Sequence, residues 1–235
     1  MKLLLTSNGF IGNSLEKDFL DLIGDHMNLR VALIPTAGDP IEWVPENEGD
    51  QIKDYVARLT RPNDAEYGKG NTYHYLKSTG YDVVIVDLKD DPVKVREELE
   101  SVDSIFVGGG DSNWLLDWAK KANLGTYLKD ILSRGVVYVG ERAGNGLLMP
   151  DIGLSWWSPD DTLDHVSFGI VDFLVSVHNK EDELPANIET ARERRAYMQS
   201  MMSYPWTIYF LQDGQAIKVD GDVIEHIGEG LKMNI

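Results

Sequence analysis

The sequence predicts an open α/β sheet, doubly wound and mostly parallel, with helices on both faces. Three observations point there. Short runs rich in Val, Ile and Leu at residues 2–6, 30–35, 82–88, 104–107 and 136–139 lack polar alternation. Strands apolar on both faces belong in a parallel sheet that is covered on each side. The stretches between them are long enough for crossover helices, and two of the runs end in glycine-rich turns at 108–110 and 140–144.

Taken in order, the run 2–6 opens the sheet and 30–35 continues it. Residues 39–50 carry five acidic side chains, two prolines and no basic group, which predicts an exposed loop before a helix near 51–61. The run 82–88 is followed by a short charged helix at 92–101. After 104–107 a longer helical stretch spans 112–134, with Trp114, Leu115, Trp118, Ala122, Leu128, Ile131 and Leu132 at near-helical spacing. The C-terminal part reads as a β-meander of 207–212, 215–219 and 223–227. Its turns Asp213-Gly214 and Asp220-Gly221 supply the positive φ that tight hairpins need. With no repeat, linker or low-complexity tract, the expectation is one domain over 1–235.

Composition narrows the function. Asp and Glu number 39 against 22 Lys and Arg, a net charge of −17. Nucleic acid and anionic membranes demand a basic face, so neither is an expected partner. The chain has no cysteine, which removes disulfides and a thiol nucleophile. His26, His74, His165 and His226 lack metal-ligand spacing, and no metal or cofactor is expected. No apolar run approaches a membrane span, so the expected setting is the cytoplasm, as monomer or homodimer.

In an open α/β sheet ligands bind beyond the carboxyl ends of the strands. One such end is Phe106-Val107-Gly108-Gly109-Gly110-Asp111-Ser112, where glycines let backbone N–H groups face a ligand; the plainer reading is a tight strand-to-helix turn. No Gly-Lys-Ser/Thr follows, so it is not a Walker motif. The other end is Val139-Gly140-Glu141-Arg142-Ala143-Gly144-Asn145. Gly-x-x-x-Gly between strand and helix has the geometry of a nucleophile elbow, whose centre in hydrolases is Ser. Here the centre is Arg142, a permanent cation that cannot attack a carbonyl.

These segments resemble peptidase E, the aspartyl dipeptidases, and the related cyanophycinases. The likeness runs from Leu4-Leu5-Thr6-Ser7 and Ile34-Pro35-Thr36-Ala37 through both glycine segments. It continues at Val171-Asp172-Phe173, His178, Asp213-Gly214 and Val219-Asp220-Gly221. The resemblance implies a class I glutamine-amidotransferase-like fold and serine-type hydrolysis of small peptides with an amino-terminal Asp. It puts Arg142 at the nucleophilic serine, His178 at the general base, and Gly110 and Ala143 at the oxyanion-hole N–H groups. For the acidic member it points to Asp160, near Trp156-Trp157 and Asp161. For the arginine that receives the substrate carboxylate it points to Arg192 in Thr190-Ala191-Arg192-Glu193.

Each of these has a plainer alternative. His178 has the plainer reading of a buried histidine at a strand end, and Trp156-Trp157 that of core. Asp160-Asp161 after Pro159 reads as a turn, and Arg192, Arg194 and Arg195 as a solvated helix face paired with Glu189 and Glu193. Arg142 itself has three explanations: a natural non-hydrolytic relative, an introduced change, or a nucleophile located elsewhere, for which Ser112, Ser155 and Ser158 lie outside the elbow. In the cleft its cation either plugs the site against Glu141 or Asp160, the reading placed first, or receives a small acidic peptide or other anion. The expectation is a peptidase E-like hydrolase with little activity as written; the alternative is a non-catalytic binding or regulatory protein.

Overall fold

The computed structural model describes residues 1–10, 14–24, 28–38, 72–153, 165–199 and 203–235. The expected loop at 39–50, the helix near 51–61 and residues 154–164, with Asp160, lie outside the described residues.

Among the described residues seven strands form the main sheet: β1 (Lys2–Thr6), β2 (Arg30–Ile34), β3 (Asp82–Ile85), β4 (Ser104–Val107), β5 (Val137–Glu141), β8 (Ala216–Asp220) and β9 (Val223–Ile227). Their order is β3-β2-β4-β5-β1-β8-β9. The first five pair in parallel, and β8 joins β1 antiparallel. Alternate residues of each strand enter opposite cores, as the absence of polar alternation requires. Leu3, Leu5, Ala32, Ile34, Ile105, Val107 and Tyr138 face one core. Leu4, Val31, Leu33, Phe106, Val137 and Val139 face the other.

Helices cover both faces. On the second core lie α1 (Leu15–Ile23), through Leu15, Phe19 and Leu22, and α2 (Thr72–Ser78), through Leu76. On the first lie α3 (Pro92–Glu100), α4 (Ser112–Lys121) and α5 (Leu128–Ser133). The step from β1 to β2 to β3 runs one way across the sheet, and from β3 through β4 to β5 it runs back. Right-handed crossovers put helices on opposite faces when that direction reverses. Crevices therefore open at the carboxyl ends between β5 and β1 and between β4 and β2.

Helix ends follow the capping residues. Asp91 accepts from Val93 N–H at 2.9 Å with Pro92 in the first turn, and Asp111 accepts from Trp114 N–H at 2.9 Å. The expected single helix over 112–134 is broken. Asn123, at φ 56°, takes the left-handed conformation that ends α4, and a 3-10 turn (Leu124–Thr126) leads into α5.

The expected C-terminal meander is corrected in one strand. β8 and β9 do form an antiparallel hairpin, with Gly221 at φ 62° in its two-residue loop. But β7 (Thr207–Phe210) leaves it for a second sheet, parallel to β6 (Phe173–Ser176) and antiparallel to β10 (Met233–Asn234). The physical reason is burial: β7 has Ile208 and Phe210 in the first core, packed with Phe173 and Leu174 of β6. Between β6 and β7 runs α7 (Leu184–Gln199). A short α6 (Ala143–Gly146) follows β5. Among the described residues no helix is long and apolar enough to cross a membrane.

The β8–β9 hairpin holds His226, whose Nε2 lies 3.1 Å from Gln215 Oε1 and whose ring meets Tyr209 edge-on. Burial, then the Lys232 charge, pushes this imidazole down from 6.5 to about 4. Between those values the unfolded chain binds a proton that the folded chain refuses, so stability falls as pH falls through that window. His226→Gln keeps a donor toward Gln215 and is expected to blunt this. From about pH 7 to about pH 5 its melting temperature should drop about 3–6 °C less than that of the unaltered chain. Parallel losses in scanning calorimetry would contradict the assignment.

Candidate active site

Arg142 sits one residue past β5 with φ 54° and ψ −108°, outside the regions open to a residue bearing a Cβ. Such backbone costs on the order of 1–3 kcal/mol and persists only where its surroundings over-determine it. They do here. Arg142 N–H donates to Thr6 C=O at 3.3 Å, and Asn145 N–H donates to Arg142 C=O at 3.0 Å. Asn145 Nδ2 donates to Thr6 C=O at 2.9 Å, and the Tyr138 hydroxyl donates to Gly144 C=O at 2.6 Å. The elbow glycines allow the close approach. A Cβ on Gly144 would overlap the Val107 carbonyl oxygen, and one on Gly140 would run into Asn145.

The glycine turn after β4 lies alongside. A Cβ on Gly110 would overlap the Ala37 carbonyl oxygen, and Asp111 N–H donates to that same oxygen at 2.8 Å. The turn is thereby tied to the 3-10 segment Thr36–Gly38 that follows β2. The aliphatic stem of Arg142 packs over Gly109.

His178 follows β6, and Asp213 follows β7. Because these strands run parallel, their carboxyl ends emerge together. His178 Nδ1 lies 2.7 Å from Asp213 Oδ1. A carboxylate partner fixes the tautomer with the proton on Nδ1, leaving Nε2 as a proton acceptor. Ser7, buried at the end of β1, clips the pair: its hydroxyl donates to Asp213 Oδ1 at 2.9 Å and accepts from His178 N–H at 2.9 Å. His178 is held at φ 58° beside buried Asn179, whose Nδ2 donates to Ser176 C=O at 2.9 Å.

Arg142 and His178 line one cavity of about 340 Å³. Gly110, Ser112, Ala143 and Gly146 border it too, together with the apolar side chains of Met149, Ile152, Val175 and Val177. The Arg142 side chain is 47% exposed, and its Nε stands 3.8 Å from Glu141 Oε1. Burial pushes the Glu141 carboxyl above its ordinary value, while the Arg142 and His178 charges oppose that rise.

The sequence-predicted residues divide accordingly. Arg142, His178, Gly110 and Ala143 meet at the cavity. Asp160 lies outside the described residues, and the acid seen against His178 is Asp213, which sequence reasoning took for a hairpin turn. Arg192 is not among the residues lining the cavity; its side chain is 61% exposed, with Nη1 3.5 Å from Glu189 Oε2. The buried arginine of α7 is Arg194, bonded to Asp151 through Nη2 at 2.7 Å and Nε at 3.1 Å, with Tyr204 OH donating to the same carboxylate at 2.6 Å. This network fastens α7 to Asp151, the chain neighbour of the cavity-lining Ile152.

The strain at 142 can be measured. Arg142→Gly is expected to stabilise the fold by about 1 kcal/mol, the relief at positive φ exceeding the entropy of glycine. Gly144→Ala should cost about 3 kcal/mol or more against the Val107 carbonyl. Urea unfolding reads both, and a destabilised Arg142→Gly would contradict the strained elbow.

The model of peptidase family S51 matches residues 3–227. Over 155 residues the chain is 29% identical to Peptidase E of Escherichia coli O6:K15:H31, an alignment covering 65% of this chain and 57% of that protein. Over 139 residues it is 26% identical to Peptidase E of Shewanella amazonensis, covering 57% of each. These alignments thus span little over half the length of those relatives. In fold it is similar to a crystal structure of a candidate Peptidase E protein from Listeria monocytogenes EGD-e, with TM-score 0.65 and 21% identity over 97% of this chain and 98% of that one. It is similar also to a peptidase from an acI-B1 Actinobacterium, with TM-score 0.65 and 18% identity over 100% and 93%. The fold is α/β of the class I glutamine amidotransferase-like type, and the chain belongs to peptidase family S51.

Proposed function

We propose that this chain carries the framework of a serine-type, peptidase E-like hydrolase of small peptides with an amino-terminal Asp, and that Arg142 has removed its attack step. The observation that supports the reading is the meeting of a strained elbow and a His178–Asp213 pair in one cavity. With serine at the elbow, Nε2 of His178 takes the hydroxyl proton as the oxygen bonds to the scissile carbonyl carbon. The same nitrogen then returns that proton to the amine as the C–N bond breaks, and water repeats the sequence to free the acid. Asp213 holds the imidazole in the required tautomer. The Gly110 and Ala143 N–H groups are the donors assigned to the oxyanion. Arginine has no hydroxyl to give, and its side chain takes the substrate's space. The setting of this reading is the cytoplasm.

A second reading, non-catalytic binding of an acidic ligand, is favoured by one observation. The guanidinium is half exposed and 3.8 Å from Glu141, too far for a tight plug by that carboxylate. Asp160, the other carboxylate expected to plug it, lies outside the described residues.

Arg142→Ser is expected to raise hydrolysis of an Asp-Leu dipeptide by several orders of magnitude over the unaltered chain. Adding His178→Ala should remove about 10³-fold of that gain. Adding Ser7→Ala instead should lower kcat about tenfold with KM little changed, since Ser7 orients the pair without touching substrate. Rapid turnover by the unaltered chain that depends on Ser112 would overturn the reading.

A further inference from the structure

We infer that the cavity binds a small monocarboxylic acid with an apolar body, the carboxylate on the Arg142 guanidinium and the body against Met149, Ile152, Val175 and Val177. This rests on the reading of that cavity as a ligand site and goes further by naming the ligand class. The cavity lining is of two kinds. Arg142 is the permanent cation among its described lining residues, and four apolar side chains share the lining with it. The guanidinium is half exposed with its stem over Gly109, and among the described residues its carboxylate neighbour Glu141 stands 3.8 Å away, so a ligand carboxylate breaks no tight ion pair with it. Two parallel N–H···O bonds then replace water on both partners. The apolar lining rewards burial of hydrocarbon at about 25 cal/mol per Å². A volume near 340 Å³ suits a compact ligand at the small end of known sites.

An aspartyl peptide fits the unaltered cavity poorly. Its amino-terminal ammonium would enter beside the Arg142 guanidinium, a like-charge contact that Arg142→Ser removes. The net charge of −17 also sets a field against anions, and a monoanion opposes it least. Inorganic phosphate would match the cation and waste the apolar lining.

Isothermal titration of the full chain with 3-phenylpropanoate and 4-methylpentanoate tests this, with their primary amides, inorganic phosphate and Asp-Leu as comparisons. Saturable binding of the acids is expected, about tenfold or more tighter than the amides, phosphate or dipeptide. Arg142→Gln should weaken the acids about tenfold while leaving the amides unchanged, and Val177→Thr should weaken acids and amides alike by a few-fold. Phosphate or Asp-Leu binding as tightly as the acids, unchanged affinity in Arg142→Gln, or no saturation up to about 10 mM would overturn the inference. Failure here is separable from failure of the hydrolase reading. If Arg142→Ser hydrolyses Asp-Leu while the unaltered chain ignores the acids, only this inference falls. If the acids bind while Arg142→Ser stays inert, the hydrolase framework falls instead.

Discussion

The carboxyl end of β1 is the constraint on which the site depends. Thr6 and Ser7 are consecutive, fully buried, and each governs half of the chemistry. The Thr6 carbonyl accepts from the Arg142 N–H and from Asn145 Nδ2, and its hydroxyl donates to Gly140 C=O at 3.0 Å. Ser7 bonds the His178 backbone and the Asp213 carboxylate. Buried hydrogen bonds of this kind contribute about 1 kcal/mol each, so the set around Thr6 is commensurate with the strain stored at position 142. β1 is itself a rigid reference. Leu3, Leu4 and Leu5 are sealed in the two cores, and the strand is paired on both edges by β5 and β8.

That arrangement explains why an arginine at the elbow leaves the frame standing. What positions the elbow is backbone hydrogen bonding, glycines without Cβ, and the side chains of Thr6, Tyr138 and Asn145. The side chain at 142 takes no part in those bonds. A guanidinium is costly only when stripped of water, and this one stays half exposed. Its stem lies on a turn of three glycines, which leaves room that a side chain at Gly109 would have filled. On the proposed reading, an exchange from hydroxyl to cation would alter what the cavity can do without altering how it is built.

Much of this was legible in the chain because local patterns there are strong. Apolar runs without alternation gave the parallel strands, and the two glycine segments gave the carboxyl-end turns. Asp213 was not legible. Asp-Gly between two apolar runs has the signature of a hairpin turn, and here the same pair links two different sheets, so the aspartate lands beside a histidine distant in sequence. Only the parallel pairing of β6 with β7, a non-local fact, brings them together. Ser7 was hidden likewise, since a serine ending a strand announces no partner. On α7 the spacing could not distinguish the exposed Arg192 from the buried Arg194, because the arginines crowd one stretch and the acid that selects Arg194 is Asp151.

The most direct test of the central claim, an intact hydrolase framework around a misplaced cation, is mass spectrometry after exposure to a fluorophosphonate that labels activated serines. The account expects no label on the unaltered chain and one phosphonyl group at position 142 in Arg142→Ser. Labelling of Ser112 or any other serine in the unaltered chain, or no labelling of the variant, would contradict it.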